Sequence, residues 1–289
     1  MKVAIIGVGL IGGSIAKDLK SSGFATSIFG IDTNVKHGEM AIEIGLVDEM
    51  KSLDAAIEVA DILILATPVE VSKNLISEIL DKIDFKTLID VCSTKKSITE
   101  RVKNHKNRGR YVAAHPMAGT EYSGPSAAVD KLFENKTNII CEKEKSDSDS
   151  MKIALDLFDA LKMNTSFMES NEHDIHAANV SHLSHISSFA LALSVLDIEK
   201  ENPEDIKIMA AGGFRSTVRL AKSDARTWEE ILMDNSENVL NALAVYISQL
   251  ERFKDAITTK NNKKLNQLIL DSNKIRPIVD GISKTADEK

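Results

Sequence analysis

Up to about residue 168, short apolar runs alternate with segments of helical spacing. KVAIIG, TSIFGID, DILILATP, KTLIDVCS, RYVAAHP, TNIICE and NTSFME are rich in β-branched residues and mostly end in Gly, Pro, Ser or Asp, a pattern that predicts strands. Most are separated by stretches such as VSKNLISEILDKI, whose apolar residues recur at helical intervals. Alternation of this kind predicts a largely parallel sheet covered on both faces. EKEKSDSDS, residues 142–150, reads as an exposed loop before the next helix. Beyond residue 170 the strands stop. DIHAANVSHLSHISSFALALSVL and SENVLNALAVYISQLERFKDAI are long, helix-patterned and apolar around much of their circumference. Helices so apolar need burial, and the second half is too thin to bury them alone, so a partner chain is expected to cover part of them. Two domains are expected, 1–168 and 169–289.

Composition narrows the function classes. The 289 residues are 43% hydrophobic and 27% charged, as in a soluble globular protein. A net charge of -7 argues against general nucleic-acid binding, which needs a basic patch. No uncharged run reaches the roughly 20 residues of a membrane span. The opening MKVAIIGVGLIGGSIAKDL has a basic tip and an apolar run. Its glycine spacing and the lack of an Ala-x-Ala site point to a first core strand rather than a signal peptide. Cys92 and Cys141 are too few for a disulfide framework, and a reducing, cytoplasmic compartment is expected.

Residues 7–12, GVGLIG, place Gly7, Gly9 and Gly12 in G-x-G-x-x-G spacing, with Leu10 and Ile11 opening the helix that follows. Because the motif directly follows an apolar strand, it reads as a dinucleotide-binding turn: glycines admit the pyrophosphate to the backbone, and the helix N-terminus supplies donors. About twenty residues beyond Gly12, Asp32 ends the second strand, where a carboxylate bonds the ribose hydroxyls and repels a 2′-phosphate. NAD is therefore expected rather than NADP. The competing reading is a glycine-rich turn with a capping Asp.

In such sheets ligands sit beyond the carboxyl ends of the strands. Thr67 and Pro68, which end the DILILATP strand, are expected on the cofactor side. Pro116 keeps His115 extended, so its strand delivers His115 to the same edge; Ser93 arrives there at the end of DVCS. Lys95 and Lys96 open a helix, where the dipole disfavours cations; they either serve an anion or face solvent. For His115 the alternative is a histidine bonded only to backbone.

His173, His176, His182 and His185 lie close together in the second half. At about 100° per residue, the first pair and the second fall nearly opposite on a continuous helix, and with no cysteine cluster nearby a metal cage is not expected. VSHLSH is instead expected to present Ser181, His182 and His185 to the cleft between the domains. GGFRSTVRLAKSD, residues 212–224, carries Arg215, Arg219 and Lys222 behind the loosening pair Gly212 and Gly213. Arginine suits bidentate carboxylate binding; a solvated basic helix face is the bland alternative.

Taken together, GVGLIGGS, DVCSTK, HPMAGTE, VSHLSH and GGFRSTVRLAKSDARTW resemble, in that order and over almost the whole chain, the prephenate dehydrogenase family and its arogenate-using relatives. The resemblance implies a Rossmann-like doubly wound α/β domain followed by an all-helical dimerisation domain, a homodimer, and NAD-dependent oxidative decarboxylation of prephenate to 4-hydroxyphenylpyruvate. Matched position by position, it implies that His115 is the catalytic histidine, that Ser93 assists it, and that Arg219 holds a substrate carboxylate. Thr120, Glu121, Ser181, His182, His185 and Gly212 fall to the substrate pocket or its entrance, with Arg215 where some members carry lysine. STKKS departs from the commoner SVK pattern. Neither a chorismate mutase segment nor a regulatory ACT domain is expected. Rival readings are arogenate dehydrogenase, a dehydrogenase of 3-hydroxyacids, and a non-catalytic NAD-sensing regulator.

Overall fold

The computed structural model describes residues 1–198 and 211–287, and side chains only as far as 281 in the last helix. Eight strands form one sheet: β1 (Lys2–Ile6), β2 (Ser27–Ile31), β3 (Glu49–Met50), β4 (Ile62–Leu65), β5 (Thr87–Asp90), β6 (Tyr111–Pro116), β7 (Thr137–Cys141) and β8 (Asn164–Met168). Their order is β3-β2-β1-β4-β5-β6-β7-β8. Every pairing is parallel except β6 with β7. Seven strands lie where the apolar runs predict them. β3 was not predicted, because two residues are too short to display a period.

Six helices accompany the strands: α1 (Leu10–Ser21), α2 (Val35–Glu43), α3 (Leu53–Val59), α4 (Val69–Lys82), α5 (Lys96–Val102) and α6 (Ser148–Ala160). The continuous apolar runs divide between two cores by the alternation of a strand. Val3, Ile5, Ile62 and Ile64 pack with α1 and α6 residues such as Ile15, Leu19 and Phe158. Ala4, Ile6, Leu63 and Leu65 pack on the other face with Ile57, Ile76 and Ile98 of α3, α4 and α5. Burial on both faces explains why these strands show no polar alternation.

The sheet order reverses between β1 and β4. At such a switch point the loops leaving neighbouring strands diverge and open a crevice at the carboxyl edge. Gly7 leaves β1 there, Thr67 leaves β4, Ser93 follows β5, and His115 lies near the end of β6.

The chain divides into two compact units, Met1–Ser236 and Glu237–Lys289. The first also holds α7 (Ser170–Ala177), a π-helical turn (Ala178–His182), α8 (Leu183–Ile198), α9 (Gly212–Thr217), a short 3₁₀ turn (Arg219–Lys222) and α10 (Ala225–Asp234). α10 is anchored by apolar and polar contacts together. Ile231 enters the core beside Ile76 and Ile98. The buried Asp234 carboxylate accepts from Lys73 Nζ at 2.9 Å and from Thr94 Oγ1 and Ser97 Oγ, each at 2.7 Å. The second unit is formed by α11 (Ser236–Thr258), α12 (Asn262–Ser272) and α13 (Arg276–Asp287). Asn261 caps α12 by accepting from Lys264 N.

The expectation that these apolar helices are buried is only partly met within one chain. Leu193 and Leu196 of α8 are 63% and 60% exposed, and Leu240 and Val245 of α11 are 64% and 63% exposed. No described helix is long and apolar enough to cross a membrane.

Candidate active site

The glycine turn has the shape its spacing predicts. Gly7 has φ +93°, and a Cβ on it would lie 2.6 Å from the Ala66 carbonyl oxygen, so a larger residue would meet both strain and collision. A Cβ on Gly12 would sit 2.0 Å from the Gly7 carbonyl oxygen, which keeps α1 close against β1. Gly9 differs: a Cβ there would meet nothing within 4 Å. The space in front of it is open to a ligand. Gly9 is also the N-cap of α1 and contributes no side-chain cap, leaving first-turn amides directed at that space. Leu10 and Ile11 open α1 beside it and are half-buried.

Asp32 closes the far side of the turn. Its carboxylate accepts from Val8 N at 3.2 Å and Asn34 N at 2.8 Å. The Thr67 methyl borders Gly7, while the Thr67 and Ser72 hydroxyls are 2.8 Å apart. Pro68 starts α4 as its N-cap. The strand-end residues therefore surround a crevice whose donors, open glycine and acid suit a dinucleotide.

His115 is 9% exposed near the end of β6, opposite Ile139 in the sheet register. Its Nδ1 lies 2.8 Å from Nε2 of His173, and His173 Nδ1 lies 2.8 Å from Asp174 Oδ1. Burial, aided by His173, Lys95 and His182, holds the His115 pKa well below the usual histidine value. The imidazole is therefore neutral near pH 7 and able to accept a proton.

Lys95 does not face solvent; the anion it serves is the protein's own Asp90. It is fully buried, pairs with Asp90, and donates to the Ala114 carbonyl directly before His115. Asp90 also accepts from the Tyr111 hydroxyl at 2.6 Å and from Cys92 N at 3.0 Å. A buried charge has to be matched in this way, and the match pins β5 and β6 beneath the site. Lys96 is the residue left exposed. Ser93 is half-buried in the short link between β5 and α5.

The histidines after residue 170 are not arranged as a continuous helix predicts. The π turn over Ala178–His182 interrupts the helical phase, a feature common at functional sites. His173 and His182 both become buried and both act on His115. Asn235 Nδ2 donates to the Asp174 carbonyl at 2.7 Å and faces His182 Nδ1 at 3.3 Å. His182 therefore carries its proton on Nε2, and burial lowers its pKa to about 4. His185 donates from Nδ1 to the Ser181 carbonyl at 3.0 Å and stacks on Trp228 with centroids 3.4 Å apart. His176 is exposed, and among the described residues no three metal-ligating side chains are grouped to hold an ion.

Arg219 lies near enough to His185 to act on its charge, and its guanidinium is 3.5 Å from Glu121 Oε2. Glu121 also borders an open cleft of about 520 Å³ lined by Tyr122, Ser126, Val129, Lys222 and Asp224, within the size range of small-molecule sites. Thr120 is exposed and accepts from Tyr122 N at 3.3 Å. Gly212 and Arg215 are both exposed on α9.

The model of the nucleotide-binding domain of prephenate dehydrogenase matches residues 15–166, and that of its dimerization domain matches residues 169–270. The chain belongs to the prephenate dehydrogenase family. It is thus an oxidoreductase by family. A curated prephenate dehydrogenase from Lactococcus lactis subsp. cremoris is 31% identical, over 95% of this chain and 76% of that one. Among solved structures, Aquifex aeolicus prephenate dehydrogenase in complex with hydroxyphenyl propionate and NAD+ is 31% identical with a TM-score of 0.83, covering 96% of this chain and 98% of that one. Synechocystis arogenate dehydrogenase is 25% identical with a TM-score of 0.76, covering 96% and 100% of the two chains.

Against that family frame, residue patterns alone passed over Asp174, Asn235 and Trp228 and weighed His173 only as a metal ligand. The pairing HD at 173–174 was a signal, since a carboxylate beside a histidine can orient its ring. Trp228 stands inside the DARTW string already singled out. Asn235 offers no comparable signal.

Proposed function

We propose that this member of the family catalyses the NAD-dependent oxidative decarboxylation of prephenate to 4-hydroxyphenylpyruvate. The observation that carries the reading is a neutral, buried His115 at the carboxyl edge of the sheet, on the strand-end side shared with the glycine turn. Residues 1–168 form the dinucleotide domain in this reading, and 169–289 supply substrate contacts and the dimer interface.

Gly7, Gly9, Gly12 and the α1 amides hold the pyrophosphate, Asp32 holds the adenosine ribose, and Leu10, Ile11, Thr67 and Pro68 wall the crevice. When bound, NAD supplies the hydride acceptor. The substrate carries a secondary alcohol on a cyclohexadiene ring, with a carboxylate at the para carbon. His115 accepts the hydroxyl proton as the carbinol carbon gives up hydride, and Ser93 orients that hydroxyl. The ring carboxylate then departs as carbon dioxide, its bonding electrons complete the aromatic ring, and protonated His115 returns the proton to the phenolate oxygen. Arg219 holds a substrate carboxylate and Arg215 adds positive charge. His182 presents an N–H donor, while Thr120, Glu121, Ser181, His185 and Gly212 border the pocket.

The likeness to an arogenate dehydrogenase supports a second reading, in which the side-chain keto group is an amine. The ratio of kcat/KM for the two acids decides between them, and a ratio favouring prephenate is expected. The Asp32 carboxylate favours NAD over NADP by at least about tenfold in kcat/KM, equivalent to about 1.4 kcal/mol; a preference for NADP in the unmodified protein would remove Asp32 from the ribose.

The exposed leucines of α8 and α11, together with the match to a dimerization domain, support a homodimer. Light scattering of the purified protein should give twice the chain mass; a stable, fully active monomer would contradict this. The buried, unpaired thiols Cys92 and Cys141 accord with a reducing cytoplasm.

A further inference from the structure

We propose that His173 and Asp174 are positioning residues that fix the tautomer of His115, keeping its proton on Nδ1 and its Nε2 lone pair free for the substrate hydroxyl. The role rests on the proposed dehydrogenase reading, but the tautomer itself follows from the protein alone.

Asp174 lies at the root of this chain of hydrogen bonds. Oδ1 accepts from Lys95 N at 2.8 Å and Oδ2 from Lys96 N at 2.9 Å, both amides at the start of α5. Two backbone amides and the ring of His173 converge on one buried carboxylate. An ionised carboxylate only accepts. His173 Nδ1, 2.8 Å from Oδ1, must therefore carry a proton. In a neutral imidazole the other nitrogen is then an acceptor, so His173 Nε2 presents a lone pair. His115 Nδ1, 2.8 Å away, can satisfy that lone pair only by donating. The ring planes meet at 64°, an edge-on arrangement that suits such a bond.

The charged and titratable groups around His115 come from three sides: Lys95 beneath β6, His173 and Asp174 from α7, and His182 from the π turn. Lys95, though neutralised by Asp90, opposes protonation of His115. Asp174, through His173, is the group that favours the imidazolium formed during turnover. The pair thereby links α7 to the start of α5 and aims the base, without touching substrate.

Nitrogen NMR of the histidine rings in the unliganded, unmodified protein reads the tautomers directly. Expected are a protonated Nδ1 and bare Nε2 on His115, with Nδ1 protonated on a neutral His173. A proton on His115 Nε2, or a doubly protonated His173 at neutral pH, overturns the proposal. This result is independent of which substrate is turned over, so it stands apart from any failure of the dehydrogenase reading.

Kinetics supply the second arm. Asp174→Asn removes the carboxylate and should lower kcat roughly 10²-fold with little change in KM, and move the acid limb of kcat to lower pH because the imidazolium loses its counter-charge. His173→Gln keeps an acceptor for His115 Nδ1–H and should retain at least about tenfold more kcat than His173→Leu. Equal losses for Gln and Leu, with an unmoved pH limb in Asp174→Asn, would mean that the pair is only structural.

Discussion

His115→Asn lowers kcat by roughly 10²–10⁴-fold while the KM for the acid and the affinity for NAD stay near their original values. Asparagine is smaller but keeps an amide N–H that can reach His173 Nε2, so the buried neighbour is not left without a donor. What it lacks is a basic nitrogen facing the substrate. Loss confined to kcat is the signature of an interaction made in the transition state alone. Steady-state rates and NAD titration measure the two quantities separately. Retained kcat would make His115 a structural residue bonded only to His173, and the chemistry would need another base. Joint loss of kcat and NAD affinity would place His115 in the binding of the dinucleotide instead.

Arg219→Ala should act the other way, raising KM for the acid by about 10–150-fold with a smaller effect on kcat. That range corresponds to one charge-assisted bond of roughly 1.5–3 kcal/mol. The existing contact with Glu121, at 3.5 Å and with Arg219 half exposed, contributes little to stability, so the variant is expected to fold. Removing Arg219 also leaves the Glu121 carboxylate facing an anionic substrate, which adds to the rise. Arg219→Ala combined with Glu121→Gln should therefore recover part of the lost affinity. An unchanged KM in the single variant would show that the carboxylate is held elsewhere, with Arg215 the first alternative.

The parts of this site that were legible in the sequence are those encoded locally. Gly7, Gly9, Gly12 and Asp32 are placed by the geometry of two strands, one turn and one helix, so their spacing is already informative. His115 was legible because Pro116 fixes its backbone and the sheet rule fixes its edge. The relay behind it was not, because His115 and His173 are 58 residues apart and meet only after α7 docks on the sheet. That His173 and His182 both come to lie beside His115 was not legible for a similar reason. A π turn changes the phase over Ala178–His182 without any mark in the apolar periodicity. The role of Lys95 stayed open in the sequence because the helix-dipole rule describes an exposed N-terminus, whereas here the partner is Asp90, five residues earlier and fully buried. The short β3 escaped because a two-residue strand is set by its neighbour, not by its own sequence.

The most direct test of the central claim is turnover itself. Purified protein supplied with NAD and prephenate should form NADH and carbon dioxide in equal amounts, with 4-hydroxyphenylpyruvate as the organic product. NADH formed without carbon dioxide, or no NADH from either prephenate or arogenate, would contradict the assignment.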